Sequence, residues 1–256
     1  MKKNYNPNSK KGYGIELEID IAKTLDGKKY CELTKEWKYR IKQLFHNNTF
    51  SQLDVIHAYK YYDSYAKPDI VIEVNGMSRK ISVKCGKNPS VHMEELGDFL
   101  KFLLKIGVPD RIVRIIEFYH YGKSNKLSNR GKPFSREELI SDFGEYLVEV
   151  NDYFDTHPEI VKYIIYRTVI KGVRKADPID AIFYGNVENG FIVTTHEIYN
   201  LILKEDKPTL MAPHFRGLVY QPSGRKVGSV DSRYSRIKWP ILPVLYYSED
   251  FRSTHK

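Results

Sequence analysis

The sequence has only two cysteines among its 256 residues, Cys31 and Cys85, and they form no Cys-x-x-Cys pair. Its eight histidines are scattered without metal-ligand spacing, so neither a disulfide scaffold nor a structural zinc site is expected. No apolar run approaches the roughly 18 residues that cross a bilayer. Residues 1–11 are basic and polar, unlike a secretory signal. These absences predict a cytoplasmic protein that does not enter a membrane.

Nucleotide-binding signatures, repeats and linkers are missing as well. The sequence has no Walker A lysine loop and no G-x-G-x-x-G, which argues against nucleotide-driven or dinucleotide chemistry. No stretch rich in Pro, Gly and Ser divides the chain. We therefore predict a single domain over residues 1–256. Within it we expect a basic arm at 1–11, a catalytic core at 12–120 and a helical and basic part at 121–256.

Positive charge is abundant and unevenly distributed. The chain carries 41 Lys and Arg against 32 Asp and Glu, a formal net charge of +9. The segment Lys207–Lys238 holds seven bases and one acid, whereas Ser135–Glu159 holds eight acids and one base. Such segregation favours a dedicated basic surface for a polyanion over a uniformly basic exterior.

Hydrophobic periodicity indicates strands mixed with helices, which is an α/β class. The predicted helices are Ile15–Leu25, Val91–Ile106, Arg136–Asn151, Glu159–Lys171 and Thr195–Leu203. The predicted strands are Asp69–Val74, Lys80–Cys85, Arg111–Phe118, Asp180–Tyr184, Gly190–Thr194, Leu218–Tyr220 and Ile237–Trp239.

The most informative segment is a predicted hairpin around Asn75-Gly76, a pair typical of a two-residue type I′ turn. A two-residue loop fixes the register, so Asp69 lies opposite Ser82. Lys84 is then its diagonal neighbour, roughly 7–8 Å away between Cα atoms. The hairpin thus brings a carboxylate and an ammonium group together. An ordinary amphipathic hairpin with a surface Asp and Lys is the alternative.

Metal-assisted phosphodiester hydrolysis requires such a pair. A hard divalent cation binds through one or two carboxylates together with phosphate and water. A nearby lysine can orient the water and offset developing negative charge.

The residues Pro68-Asp69 and Ser82-Val83-Lys84 resemble the PD-(D/E)xK nuclease motif, with Ser82 where an acid is usual. Some type II restriction endonucleases have Ser, Asn or Gln at this position. The resemblance implies a restriction-endonuclease-like core, a mixed central sheet flanked by helices, with a C-terminal DNA-recognition region. It also implies Mg²⁺ as the cofactor and double-stranded DNA as the substrate. Asp69 is then a metal ligand, Lys84 positions the attacking water, and the Val83 carbonyl is a further candidate ligand.

Because Ser82 leaves the site one carboxylate short, another acid must complete it. The segment Gly12–Ala22 is similar to the G-x-x-x-E-x-x-I-A helix that precedes this core in many such nucleases. Of its acids, Glu18 has apolar helical neighbours, whereas Glu16 and Asp20 share a polar face. Glu18 is therefore the expected supporting acid and metal ligand. The alternatives are three other acids: Glu73, Glu94 and Glu95.

The basic tail is the predicted recognition region. In layout the chain resembles small restriction enzymes for four-base sites, in which a C-terminal basic loop with Gln and Arg reads the major groove. Arg can contact guanine and Gln adenine, while Lys and Ser suit phosphates. The expected DNA-binding residues are Gln221, Ser223, Arg225, Lys226, Arg233, Arg236 and Lys238.

Three functions remain open from the sequence. The first is a type II restriction endonuclease, and the second is a structure-selective nuclease such as a junction resolvase or repair enzyme. The third is a catalytically silent DNA-binding module of the same fold, which Ser82 favours. A homodimer is also left open.

Overall fold

The computed structural model describes residues 13–46, 48–63, 66–87, 89–122, 134–173, 177–204, 211–223 and 230–247. The helices in these ranges are α1 (Tyr13–Leu25), α2 (Lys35–Leu44), α3 (Leu96–Lys105), α4 (Asp110–Tyr121), α5 (Arg136–Ser141), α6 (Gly144–Thr156), α7 (Pro158–Ile165), α8 (Thr195–Lys204) and α9 (Ile241–Tyr247). The strands are β1 (Ile56–Lys60), β2 (Ile70–Val74), β3 (Met77–Lys84), β4 (Ser90–Glu95), β5 (Ala181–Tyr184), β6 (Phe191–Thr194), β7 (His214–Phe215), β8 (Leu218–Pro222) and β9 (Tyr234–Lys238).

The chain divides into two compact units, each made of separate segments. The first comprises Met1–Pro89, Ile170–Ile198 and Ile241–Lys256, and the second comprises Ser90–Val169 and Tyr199–Pro240. Strands β5 and β6 belong to the first unit, and helix α4 belongs to the second. A single nuclease domain over the whole chain stays a prediction.

The first unit is built on a five-stranded mixed sheet with the order β1-β2-β3-β5-β6. All neighbours are antiparallel except β3 and β5, which are parallel. Asn75 and Gly76 both have positive φ, 51° and 75°, as a type I′ turn requires. The pairs Ile70↔Ile81 and Val74↔Met77 confirm the predicted hairpin register.

Helices α1 and α2 cover one face of this sheet. The apolar side chains of the two helices and of the strands form one buried cluster, which includes Leu17, Ile21, Leu25, Trp37, Ile41, Ile70, Ile72, Ile81 and Val83. Helix α2 begins after Thr34, whose Oγ1 accepts a hydrogen bond from Trp37 N at 3.3 Å. The apolar face of the hairpin is thereby fixed, and Asp69 and Lys84 belong to the other face.

The second unit contains a four-stranded antiparallel sheet with the order β4-β9-β8-β7. Tyr220 and Ile237 are buried on one face, where the Tyr220 ring stacks on Phe99. The buried His120 lies between the Tyr220 hydroxyl at 2.5 Å and the Ser232 carbonyl at 2.6 Å, so it ties α4 to the strands that follow.

Several predicted elements are confirmed, namely the helices near Ile15–Leu25, Glu159–Lys171 and Thr195–Leu203 and the strands of the hairpin and of β5, β6, β8 and β9. The last six residues of Glu159–Lys171 form a π-helical turn. The structure also contains, among the described residues, no helix long and apolar enough to cross a membrane.

One predicted element is wrong, and two are only partly correct. Arg111–Phe118 lies in helix α4, because its buried residues Ile112, Val113, Ile115 and Ile116 follow the period of a helix. Val91–Ile106 is strand β4 followed by α3, because β4 pairs with the distant β9. Arg136–Asn151 is interrupted between α5 and α6 at Asp142 and Phe143.

Candidate active site

The candidate site lies where strands β2 and β3 meet at the open end of the hairpin. Asp69 immediately precedes β2, and its backbone N–H donates to Ile81 O at 2.8 Å, which extends the ladder by one residue. Lys84 is the last residue of β3. The structure thus places Asp69 beside Ser82 and Lys84, as the predicted register requires.

The Asp69 carboxylate has two unequal oxygens. Oδ2 accepts hydrogen bonds from Ser82 Oγ at 2.9 Å, from Val83 N at 2.6 Å and from Lys84 Nζ at 3.4 Å. No donor among the described residues reaches Oδ1. Since the Asp69 side chain is 24% exposed, the hairpin holds the carboxylate through one oxygen and leaves the other available to a ligand.

Lys84 bridges two of the predicted metal-binding groups. Its ammonium group contacts Asp69 Oδ2 and donates to the Val83 carbonyl at 3.0 Å. The side chain is 20% exposed, so its charge is close to solvent. Lys84 therefore offsets the charge of Asp69 and also contacts the Val83 carbonyl.

Ser82 is fully buried and lies opposite Ile182 of β5. Its hydroxyl donates to Asp69, a role that an ionised acid could not fill. A carboxylate at this position would place a second negative charge against Asp69, which is unfavourable without a cation between them. Serine at this position therefore orients Asp69 without adding charge.

Glu18 of α1 lies toward the same end of the sheet. Its carboxylate pairs with Lys60 of β1 at 2.9 Å, and its side chain is 13% exposed. Glu16 and Asp20 are exposed, in agreement with the expected polar face. Ile15, expected beside Glu18 on the apolar face, is itself exposed.

The charges of Glu18 and Lys84 both affect Cys85, the residue that follows β3. Burial raises the pKa of the Cys85 thiol, the charge of Lys84 opposes this rise, and the charge of Glu18 adds to it. Both Glu18 and Lys84 are therefore within electrostatic reach of Cys85, the residue that follows β3.

Two of the three alternative acids are engaged elsewhere, and the third, Glu95, is exposed. Glu73 is four residues along β2 from Asp69, roughly 13 Å at strand spacing, and accepts a hydrogen bond from the Tyr59 hydroxyl at 2.8 Å. Glu94 and Glu95 close strand β4, so the expectation that they lie in a first helical turn is wrong. The buried Glu94 accepts from His92 at 2.9 Å and from Arg167 at 2.6 Å.

Burial raises the pKa of Glu94, and the hydrogen bonds from His92 and Arg167 lower it, with a net downward shift. This carboxylate is thus held ionised within its own unit by two cationic or donor groups. It is a structural ion pair rather than an available metal ligand.

The described residues contain no group of three or more His, Cys, Asp or Glu side chains that could hold a metal ion. A magnesium ion commonly binds through only one or two carboxylates and keeps several waters. Asp69 Oδ1 and the Val83 carbonyl are oxygen donors at the hairpin end that suit this mode, while Glu18 is paired with Lys60.

The predicted DNA-binding residues divide between strands and loops. Gln221 and Arg236 are direct partners across β8 and β9, so the expectation that Gln221 lies in a loop is wrong. The Arg236 Nε donates to the buried Ser223 Oγ at 2.9 Å, which orients the guanidinium group. Arg236 itself is exposed.

The other candidates are less closely grouped. Lys238 ends β9 and is half-buried, and the exposed Arg233 ends a short 3₁₀ turn. Arg225 and Lys226 lie outside the described residues. The face that carries Gln221 and Arg236 also carries Met93, the partner of Arg236 on β4, which is 53% exposed.

The same fold occurs in a solved nuclease structure. Restriction endonuclease MspI in complex with its cognate DNA matches with a TM-score of 0.50 and 14% sequence identity. The match covers 89% of this chain and 92% of that one. This chain has a restriction-endonuclease-like fold. No protein-family model and no curated protein matches the sequence.

The sequence analysis did not identify two residues near the candidate surfaces, Lys60 and Met93. Side chains alternate along β1, so Lys60 lies on the same face as the buried Ile56 and Ala58. It therefore points toward α1, where it pairs with Glu18. Met93 was expected in a helix. Alternation along residues 56–60 could have indicated Lys60, but only the pairing with β9 reveals Met93.

Proposed function

We propose that this protein is a Mg²⁺-dependent endonuclease that cuts double-stranded DNA at specific sites, as type II restriction enzymes do. The observation that carries the proposal is the convergence of Asp69, Ser82 and Lys84 at the end of a hairpin in a mixed sheet. The restriction-endonuclease-like fold of the chain supports it.

In this proposal Asp69 Oδ1, Glu18 and the Val83 carbonyl would hold the metal ion. Bound there, Mg²⁺ supplies positive charge that polarises the phosphate and makes water easier to deprotonate. Glu18 would exchange its partner Lys60 for the ion. The Val83 carbonyl becomes available once the Lys84 ammonium turns away.

Lys84 then acts on the phosphate and the water. Its ammonium group can donate to the attacking water and to a phosphate oxygen, and it offsets the negative charge that develops as the bond to phosphorus forms. Ser82 and Val83 N keep Asp69 in one orientation throughout. The chain thus supplies positioning and charge for an in-line hydrolysis.

For sequence recognition, the exposed face of β4, β9 and β8 is the best-organised surface in the second unit. Gln221 and Arg236 lie side by side on it, and both are able to contact base edges. Ser223 orients Arg236, and Met93 offers an apolar contact for a thymine methyl group. In this proposal the strands present part of the reading surface, and the expected loop residues Arg225 and Lys226 lie outside the described residues.

A catalytically silent DNA-binding module is the second candidate. It is favoured by Ser82 and by the lack of a three-acid group in the described part of the chain. It differs from the first function in one measurable way, because it would bind specific DNA without cutting it.

The test is digestion of a plasmid of known sequence with Mg²⁺, followed by mapping of the ends. Discrete cuts that disappear with EDTA and in Lys84→Ala would support the nuclease, and Lys84→Ala should keep specific binding. Lys80→Ala is the matched control, since Lys80 is on the same face of β3 but pairs with Asp177. Binding without Mg²⁺-dependent cuts would select the silent module.

A further inference from the structure

Two tyrosines near Asp69 have no part in the chemistry above: Tyr59 on the edge strand β1, and Tyr62, two residues beyond the end of that strand. Tyr59 and Tyr62 have ring centroids 6.4 Å apart with a 36° tilt. Tyr62 is 95% exposed and Tyr59 is 37% exposed. An aromatic ring this exposed contributes little to a core and is accessible to a ligand.

The register places Tyr59 on the same face of the sheet as Asp69. Tyr59 is the direct partner of Val71, and Tyr61 N donates to Asp69 O at 2.9 Å. Since Val71 and Asp69 are two residues apart, Tyr59 is a diagonal neighbour of Asp69 on the same face, roughly 7–8 Å away between Cα atoms. Lys84 lies on the opposite side of Asp69, on β3.

The two rings are held differently. The Tyr59 hydroxyl donates to Glu73 at 2.8 Å, which fixes the plane of its ring. Tyr62 rests against that fixed ring, and its outer surface faces solvent. An oriented and exposed aromatic surface is suited to stacking with a nucleobase.

We propose that Tyr62, supported by Tyr59, stacks on an unpaired base of the nucleotide next to the scissile phosphate. The inference rests on the proposed function for its substrate. Inside a duplex both faces of a base are covered by neighbouring bases, so an exposed ring can stack only on a base that has left the helix or ends a strand. The site therefore takes a locally opened strand.

The binding test compares two fluorescent single strands, a short oligothymidine and a chain of abasic spacers of equal length, by anisotropy in EDTA. Stacking predicts that wild type prefers oligothymidine by about 5- to 150-fold. Tyr62→Ala should lose that preference, whereas Tyr62→Phe should keep it because stacking needs the ring and not the hydroxyl. Tyr163→Ala is the matched control, since Tyr163 is 59% exposed on α7.

Two results would overturn the stacking site: an unchanged preference in Tyr62→Ala, or a preference lost equally in Tyr62→Phe.

Plasmid cutting separates this proposal from the nuclease function. If the wild type cuts but its preference for oligothymidine does not depend on Tyr62, the stacking site is refuted and the nuclease function stands. If the preference depends on Tyr62 but the protein cuts no DNA, the nuclease function is refuted and the binding site stands. A Tyr62→Ala variant that loses the preference yet cuts at the wild-type rate refutes its position next to the scissile phosphate.

Discussion

Removal of the Asp69 carboxylate should destabilise the first unit in addition to impairing the proposed reaction. In Asp69→Ala the Val83 N–H and the Ser82 hydroxyl lose their shared acceptor. Both groups belong to buried residues, and an unsatisfied buried donor costs about 1–3 kcal/mol. Because Asp69 is partly exposed, water can replace some of these contacts. We therefore expect a loss of about 2–4 kcal/mol in the free energy of unfolding.

Three further variants resolve this cost into its parts. Lys84→Ala should cost less than about 1 kcal/mol, since it removes only a partly exposed ion pair. Asp69→Asn keeps one acceptor and should cost about 1–2 kcal/mol. The double variant Asp69→Ala/Ser82→Ala should cost about 1 kcal/mol less than the sum of its single variants, because it removes the donor together with its acceptor.

The two tryptophans provide a unit-specific assay. Trp37 is buried in the first unit and Trp239 in the second. Trp239 Nε1 has no hydrogen-bond partner among the described residues, so Trp239→Phe leaves Trp37 as the fluorescent reporter without breaking a hydrogen bond. Urea midpoints in this background, at unchanged slope, give the stability changes. Equal midpoints for Asp69→Ala and the parent would refute the assigned role of the carboxylate.

Other variants test the remaining contacts. Glu94→Ala should cost about 3–5 kcal/mol in denaturant unfolding, because it breaks a buried ion pair. Folding lowers the pKa of Glu94. Its contribution to the free energy of unfolding is therefore complete above the ordinary carboxyl pKa and is lost as the pH falls through the folded-state pKa. The free energy of unfolding of Glu94→Ala should consequently depend less on pH in acid than that of the wild type. In cleavage assays Glu18→Gln should slow the reaction far more than Glu16→Gln, and equal rates would remove Glu18 from the site. Binding titrations on cognate and scrambled duplexes test two basic residues. Arg236→Ala should reduce the difference in binding free energy between the two duplexes by about 1–3 kcal/mol. Lys238→Ala should weaken binding to both duplexes and reduce the slope of log affinity against log salt concentration by roughly one unit. Equal losses on both duplexes in Arg236→Ala would argue against base reading by this residue.

The hairpin was predictable because its determinants are local. Asn75 and Gly76 can both adopt positive φ, and a two-residue loop leaves one register. From that register follow the contacts of Asp69 with Ser82 and Lys84. The relative exposure of the α1 acids followed from helical spacing in the same way.

The errors arose where distant pairing or ambiguous composition decides the structure. Val91–Glu95 becomes a strand only through its pairing with β9, more than 130 residues later, which no local pattern encodes. In α4, the β-branched residues Ile112, Val113, Ile115 and Ile116 favoured a strand, although their spacing equally fits one face of a helix. The ion pair of Glu18 with Lys60 likewise depends on how α1 packs against β1.

The parallel pairing of β3 with β5 has a consequence for how the chain is synthesised. Ser82 lies opposite Ile182, so the ribosome must add about one hundred residues after the hairpin before β3 gains its second neighbour. Until then β3 is an edge strand with unpaired backbone groups, and such edges favour association with other chains. A fragment that ends before residue 181 should therefore aggregate, although it contains Asp69, Ser82 and Lys84. Long-range parallel pairing of this kind is also slow, so the hairpin end is expected to become ordered late in folding.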